Sequence, residues 1–315
     1  MRKKIICIGG ATASGKTALS IALAKKIDAE IISADSMQIY RELNIGTAKI
    51  TKNEMENIPH HMIDICNIED KFSVADFKNM CYDKIDEIIK RNKNVIIVGG
   101  TGLYFNSIVY DMSFENKVEH NDYREELEKV LREKGKEYLY KKLLETDPKS
   151  AEVIHPNNVK RVIRALELAN NSGKLKSIHM KEEKERLKNF YHPKYDFYVY
   201  YIDFPRDELY KRINKRIDDM IEEGILDEAK MVYDMKLSKE NTCMQAIGYK
   251  EFFKYFEGCR TLEECVEDLK KSTRHYAKRQ ITWFKNKLNC HYLLAYNNVS
   301  EMVQEIINDS NILEK

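Results

Sequence analysis

Two kinds of hydrophobic pattern alternate along the first third of the chain. Short unbroken apolar runs, "KIICIG", "AEIISADS" and "NVIIVGG", have the length of buried strands. Between them lie stretches with apolar residues every three or four positions: "KTALSIALAKKI", with Leu19, Leu23 and Ile27 in register, and a second helix from about Ser73 through "VADFKNMCYDKIDEIIKR". This alternation predicts a parallel sheet covered by helices on both faces. In such folds ligands gather at the carboxyl ends of the strands. Three segments put polar residues there: residues 12–17, Asp35 with Ser36, and Thr101.

Beyond the third run the pattern becomes almost purely helical and highly charged, in "DYREELEKVLREKGKEYLYKKLLE", "NNVKRVIRALELANNSG" and "KEEKERLK". The strand pattern returns in "YDFYVYYIDF", whose apolar density suits a central strand of the same sheet. The expected organisation is therefore one doubly wound α/β core, residues 1–115 and 192–315 with helices closing the chain from Leu262, interrupted by a helical insertion at 116–191. No internal repeat or low-complexity segment is evident.

Composition narrows the class without naming the chemistry. The chain has 315 residues, 43% hydrophobic, enough for a substantial core. Its 53 basic and 51 acidic residues nearly cancel, so only local charge is informative. Seven scattered cysteines contain no C-x-x-C pair, which reads as reduced thiols in a cytoplasmic protein and not as a disulfide framework or zinc site. The apolar run "IICI" after the basic start is too short for a signal peptide, and nothing approaches the ~18 apolar residues of a membrane span.

Chemistry enters with "GGATASGKT". Gly10, four residues, then Gly15, Lys16 and Thr17 match a phosphate-binding loop, in which backbone N–H groups of the loop, here with Thr12, Ala13 and Ser14, cradle phosphate oxygens. The lysine adds charge and the Thr17 hydroxyl is the candidate magnesium ligand. A nucleotide hydrolase usually carries an acid after an apolar strand, yet "NVIIVGG" runs into Thr101 and Gly102 without one. A transferase that lets a diphosphate leave needs no such water-positioning group. Asp35, ending the second strand beside the loop, suits a general base for an incoming nucleophile, although capping the next helix or steadying magnesium also fits. Arg212 and Arg216 in "FPRDELYKRINKR" fall on one helix face, where a guanidinium could close over phosphate.

Two basic segments stand out of the neutral background. Residues 270–287, "KKSTRHYAKRQITWFKNK", hold seven lysines and arginines and no acid, with Tyr276, Trp283 and Phe284 interleaved. Lys160, Arg161 and Arg164 form a second cluster within the insertion. Such stripes fit a nucleic-acid backbone, though many basic helix faces serve only solubility. His60 and His61 lack a matching acid or cysteine cluster and read as structural or substrate-positioning. Trp283 fits a core position as well as a base-stacking one.

Taken in order, the blocks "GGATASGKT", "ISADSMQIYRELNIGTAKI", "HHMIDI", "VGGTGLYF", "HPNNVKRVIRALE", "QAIGYKEF" and "AKRQITWFK" resemble the tRNA dimethylallyltransferase family over nearly the whole chain. The resemblance implies a P-loop fold and magnesium-assisted transfer of a dimethylallyl group from dimethylallyl diphosphate to adenosine 37, in tRNAs reading codons that begin with U. It implies that the loop grips the donor diphosphate with Arg216, that Asp35 is the base, and that Thr101 and Arg212 (or Arg216) act at the reacting groups. The tRNA contacts it implies are Asp35, Ser36, Met37, Gln38 and Thr101; Arg124, Lys160, Arg161, Val162, Ile163 and Arg164 in the insertion; Gln245, Ala246, Ile247, Gly248, Tyr249 and Lys250; and Lys278, Arg279, Gln280 and Lys285. The expected partners are thus a tRNA anticodon stem-loop and the isoprenoid donor, with no membrane and a monomeric enzyme.

Two positions depart from the family pattern: Ala11 stands where proline is common, and Asn158 where aspartate is common. Three other readings share parts of the sequence. A metabolite kinase would use the same loop and Asp35, and a transferase acting on free adenine nucleotide the same donor site, but neither needs the basic segments. An RNA-binding protein with a nucleotide switch would need no base at Asp35.

Overall fold

The computed structural model describes residues 2–114, 122–172, 175–187, 190–238, 241–295 and 298–314. It divides into two compact units, one of residues 1–113 and 192–315, the other of residues 114–191. In the first unit the chain runs through β1 (Lys3–Gly10), α1 (Lys16–Ile27), β2 (Ala29–Ser33), β3 (His60–His61), α2 (Val74–Lys90), β4 (Asn94–Gly99) and α3 (Gly102–Val109). The second unit holds α4 (Asp122–Thr146), α5 (Pro148–Val153), α6 (Val159–Ser172) and α7 (Lys176–Leu187). The chain returns to the first with β5 (Tyr195–Asp203), α8 (Arg206–Glu222), α9 (Ile225–Asp234), α10 (Phe253–Phe256), α11 (Leu262–Lys287), β6 (His291–Leu294) and α12 (Val299–Ser310).

Among the described residues, the six strands are all parallel, in the order β3-β2-β4-β1-β5-β6. The chain leaves β1 toward β2 and later crosses from β4 to β5 on the other side, so the winding reverses between β1 and β4. Loops departing in opposite directions open a crevice there, at the carboxyl ends of these two strands. The strand from "YDFYVYYIDF" pairs with β1 along its length, Lys3 with Tyr195 through Gly10 with Ile202, and sits inside the sheet. Two strands have no signature in the sequence. β3 is only a His-His pair beside β2, and β6 follows the long α11 without a turn signal of its own.

β1 explains why its residues are apolar without alternation. Ile5 and Cys7 pack with α2, α3 and α11 on one face, whereas Ile6 and Ile8 pack with α1 and α12 on the other. A third cluster joins α8, α9 and α11 to Ile39, Tyr40 and Leu43. The insertion has its own core, built on Leu127, Leu139, Leu143, Val162, Ile163 and Leu166. Its first helix is broken at Gly135, where φ is 81°. Ser73, Thr261 and Asn298 close capping boxes that start α2, α11 and α12.

One buried charge in the sheet is fully paired. Glu30 on β2 accepts two bonds from Arg91, at 3.0 and 2.6 Å, and lies 2.6 Å from His61 Nε2 on β3. The Arg91 hydrogen bond is the main reason its carboxyl titrates below 4.5. His61 is thereby accounted for as a partner of the sheet. Because the folded-state pKa is depressed, this stabilisation is present above the unfolded carboxylate range and is lost as pH falls below about 4.5. Glu30→Gln should cost roughly 1–3 kcal/mol at neutral pH. Denaturant melts from pH 7 to pH 3 should show the deficit shrinking as the wild-type carboxylate protonates.

Candidate active site

The loop between β1 and α1 has the conformation its glycines require. Gly15 caps α1 at φ 90°, and Ala13 also takes a left-handed φ, 62°. Such a turn aims consecutive N–H groups at one point and places the N-terminus of α1 behind them. A side chain at Gly10 would run into the Ser14 hydroxyl, which is buried and has no hydrogen-bond partner among the described residues. A buried hydroxyl without a partner inside an anion-binding turn is an open donor.

Lys16 Nζ donates to the Ala11 carbonyl at 2.7 Å. Ala11 is buried and supplies its backbone oxygen, so the usual proline is not needed for this bond. Burial, and then the nearby Arg216, lower the lysine pKa to about 8, with Asp35 acting in the opposite sense. Arg216 is itself lowered, first by burial. Two desolvated cations facing one carboxylate make a site that gains from an anion.

The two arginines of α8 separate in role. Arg216 lines the cleft, with Nη1 3.5 Å from the Thr12 hydroxyl and Nη2 3.5 Å from the Ala48 carbonyl. Arg212, expected at the reacting groups, is exposed and outside the cleft lining. It donates from Nε to the Ala13 carbonyl at 2.8 Å and lies 5.0 Å from the Phe204 ring centre. It braces the outside of the loop, because the Ala13 carbonyl takes its guanidinium while Arg216 reaches Thr12 and Ala48.

At the end of β2, Asp35 Oδ1 accepts from the Met37 and Gln38 N–H groups at 2.9 and 3.4 Å. The carboxylate thus caps a turn and not the start of a helix, the alternative expectation, and it still lines the cleft. Thr101, at the start of α3, accepts from the Ser36 N–H at 3.2 Å, so the two strand ends are tied together. Gln280 on α11 completes the frame. It accepts from the Thr12 N–H at 2.9 Å and donates to the Gly100 carbonyl at 3.0 Å. α11 lies so close that side chains at Gly9, Gly100 or Gly102 would collide with Phe284, Gln280 and Trp283 respectively.

These walls enclose a cleft of about 370 Å³. Lys16, Thr17, Arg216 and Arg279 line it alongside an apolar stretch made by Met37, Ile50, Ile213, Ile217, Met220, Ile247 and Leu269. Sequence reasoning missed Gly46, Thr47, Ala48 and Thr273, which also line it, as do His60, read as structural or substrate-positioning, and Tyr276 of the basic stripe. The block "ISADSMQIYRELNIGTAKI" contained the first three, but no periodicity marks an irregular loop. His60 donates from Nδ1–H to the Ile58 carbonyl at 2.8 Å, and its pKa is lowered by burial.

The remaining expected contacts divide by exposure. Lys160, Arg161 and Arg164 are exposed on α6, while Val162 and Ile163 are buried in the insertion core and cannot touch an RNA through their side chains. Arg124 is engaged by Glu128 and, with Arg164, by the buried Glu167. Gln245, Ala246, Ile247 and Gly248 line the cleft and Lys250 is exposed. Tyr249 is buried with its hydroxyl on Glu228 at 2.8 Å, so it serves the framework instead of a ligand. Gln280 likewise spends its amide on backbone. Lys278 and Arg279 are exposed, and Lys285 is 3.5 Å from Asp203. Trp283 is packed, donating to Asn106 at 2.6 Å. Within the basic stripe, Lys270 pairs with Asp218 and Arg274 with Asn214, holding α11 to α8.

Replacing Gln280 by alanine strands the Thr12 N–H and the Gly100 carbonyl. A loss of roughly 1–3 kcal/mol is expected in denaturant melts, with diphosphate binding, followed by calorimetry, weakened several-fold.

Comparison with known proteins fits this geometry. Residues 38–287 match the family model for IPP transferase. The tRNA dimethylallyltransferase of Bacillus subtilis strain 168 is 47% identical over 287 residues, covering 91% of this chain and 89% of the relative. That of Bacillus cereus strain B4264 is 50% identical over 289 residues, with the same coverage. The crystal structure of tRNA isopentenylpyrophosphate transferase from Bacillus halodurans superposes with a TM-score of 0.71 at 43% identity, covering 98% of this chain and 95% of that one. A eukaryotic dimethylallyltransferase, captured acting on tRNA, gives 0.82 at 32% identity and covers 98% and 79%.

Proposed function

The chain belongs to the IPP transferase family, and from that premise we propose that it transfers a dimethylallyl group from dimethylallyl diphosphate to the exocyclic amino group of adenosine 37 in tRNA. The observation that carries the reading is one cleft joining three parts: an anion-binding loop with two half-buried cations, an apolar stretch, and a carboxylate. The diphosphate fits the loop N–H groups, the Ser14 hydroxyl, Lys16 and Arg216. The five-carbon group fits the stretch from Met37 to Leu269. The amine then meets the donor carbon near Asp35.

In the step itself, the amine nitrogen forms a bond to the dimethylallyl carbon as the carbon–oxygen bond breaks, and the diphosphate leaves with the electron pair. Asp35 takes the proton that the nitrogen sheds. Asp35 can hold its turn with one oxygen and accept the proton on the other. Lys16 and Arg216, already desolvated, need no reorganisation to stabilise the charge that grows on the diphosphate. Thr101 fixes the strand end that carries Asp35.

Magnesium fits the oxygen donors here. No group of three or more histidine, cysteine or acidic side chains lies together among the described residues, so a cation would rest on the exposed Thr17 hydroxyl and the diphosphate oxygens, a hard-oxygen set. Bound there, it would neutralise part of the diphosphate charge. The exposed Lys160, Arg161, Lys278 and Arg279 suit tRNA phosphates. A stacked adenine cannot present its amine in line with the donor carbon, so the base must leave the stack. No helix among the described residues is long and apolar enough to cross a membrane.

The first test is transfer of label from dimethylallyl diphosphate to an unmodified anticodon stem-loop, with magnesium and without ATP. Label in adenosine 37 is the expected result. Turnover appearing only with ATP and a small acceptor would overturn the reading in favour of a kinase. Asp35→Ala should fold and bind the stem-loop but lose turnover on the order of 10²–10⁴-fold in single-turnover assays.

A further inference from the structure

We propose that Glu228, on α9 and outside the cleft, is a positioning residue for the acceptor side of the site. The inference rests on the transferase reading above. Glu228 accepts three backbone N–H groups from one loop: Asn44 and Ile45 on Oε2, both at 2.9 Å, and Gly46 on Oε1 at 3.0 Å. The Tyr249 hydroxyl donates to Oε1 at 2.8 Å. Four donors on one carboxylate, three of them consecutive amides, hold a loop as a bound anion would.

What the clamp holds in place is functional wall. Gly46, Thr47 and Ala48 line the cleft. The Thr47 and Ala48 carbonyls each accept from Gln38 Nε2 at 3.2 Å, fixing a side chain in the turn that Asp35 caps. Packing reinforces the charge. Gly46 lies against the Tyr249 ring so closely that a side chain there would meet it at 2.7 Å. Gly248, at φ 117°, approaches the Gly46 backbone from the same side. The chain of contacts therefore runs from Glu228 through residues 44–48 to Gln38 and the Asp35 turn. Loss of the carboxylate frees three amides at once and lets the loop drift from the acceptor, while Lys16 and the N–H groups of the phosphate loop keep their own supports and Arg216, whose contact with Ala48 is long at 3.5 Å, keeps its contact with Thr12.

Glu228→Gln tests this, since its amide nitrogen would face an N–H donor. The expected result is a fall of about tenfold in kcat/KM for the stem-loop, with inorganic diphosphate affinity within about twofold of wild type. Tyr249→Phe removes one of four donors and should fall in between. Combining Glu228→Gln with Gln38→Ala should be little worse than Gln38→Ala alone, because both act through one path. Unchanged kcat/KM in Glu228→Gln, full additivity in the double variant, or an equal loss of diphosphate affinity would each overturn the proposal. If Glu228→Gln fails to fold, Tyr249→Phe with Gln38→Ala makes the same comparison. Failure of Gln38→Ala to affect kcat/KM at all would instead count against the acceptor-side reading of the cleft itself.

Discussion

The close approach of α11 to the ends of β1 and β4 is the constraint on which the site depends. Glycines at positions 9, 100 and 102 leave room for Phe284, Gln280 and Trp283, and the Gln280 amide then joins the phosphate loop to the β4 loop. A sheet whose winding reverses between these strands opens a crevice in any case. Gln280 fixes its width by making two backbone groups, one from each lip, share a single side chain. The same helix face supplies Thr273, Tyr276 and Arg279 to the cleft. A helix near the end of the chain thus sets the geometry of a loop near its beginning.

Electrostatics follows from that frame. Lys16 and Arg216 are both partly withdrawn from water, which lowers the proton affinity of each, and Arg216 lowers that of Lys16 further. Asp35 offsets this only in part. The arrangement is stable because the loop carbonyls of Ala11 and Ala48 take hydrogen bonds from the two cations. In the proposed reaction a donor diphosphate would supply the missing negative charge, and its departure after transfer would return the cleft to the starting imbalance. The apolar stretch beside it suits exclusion of water from a group that, in the proposed reaction, must react with an amine and not with solvent.

The irregular segment between β2 and β3 carries more of the site than its lack of secondary structure suggests. It is pinned at 44–46 by Glu228 and at its other end by Lys49, whose ammonium bonds the Tyr40 carbonyl at 2.6 Å and Asp64 at 2.5 Å. A loop held by charged side chains at both ends can present backbone carbonyls as reliably as a strand.

Local pattern determined much of this protein. Unbroken apolar runs, rich in Ile and Val in β1, β2 and β4 and in Tyr in β5, identified these four strands, because strands buried on both faces have no polar side. Gly10, Gly15, Lys16 and Thr17 announced the phosphate loop, since only that spacing makes the turn, and Asp35 followed from its place at a strand end. Tertiary structure decided the rest. Arg212 and Arg216 share a helix face, yet only Arg216 enters the cleft, because the loop beneath α8 takes the other for its outer brace. Gln280, Tyr249, Val162 and Ile163 sit in blocks that read as ligand contacts, but burial turns them to framework. The short strands β3 and β6 and the Glu228 clamp left no local trace. Each exists only through partners distant in the chain, and side-chain burial and long-range hydrogen bonds have no period along a sequence.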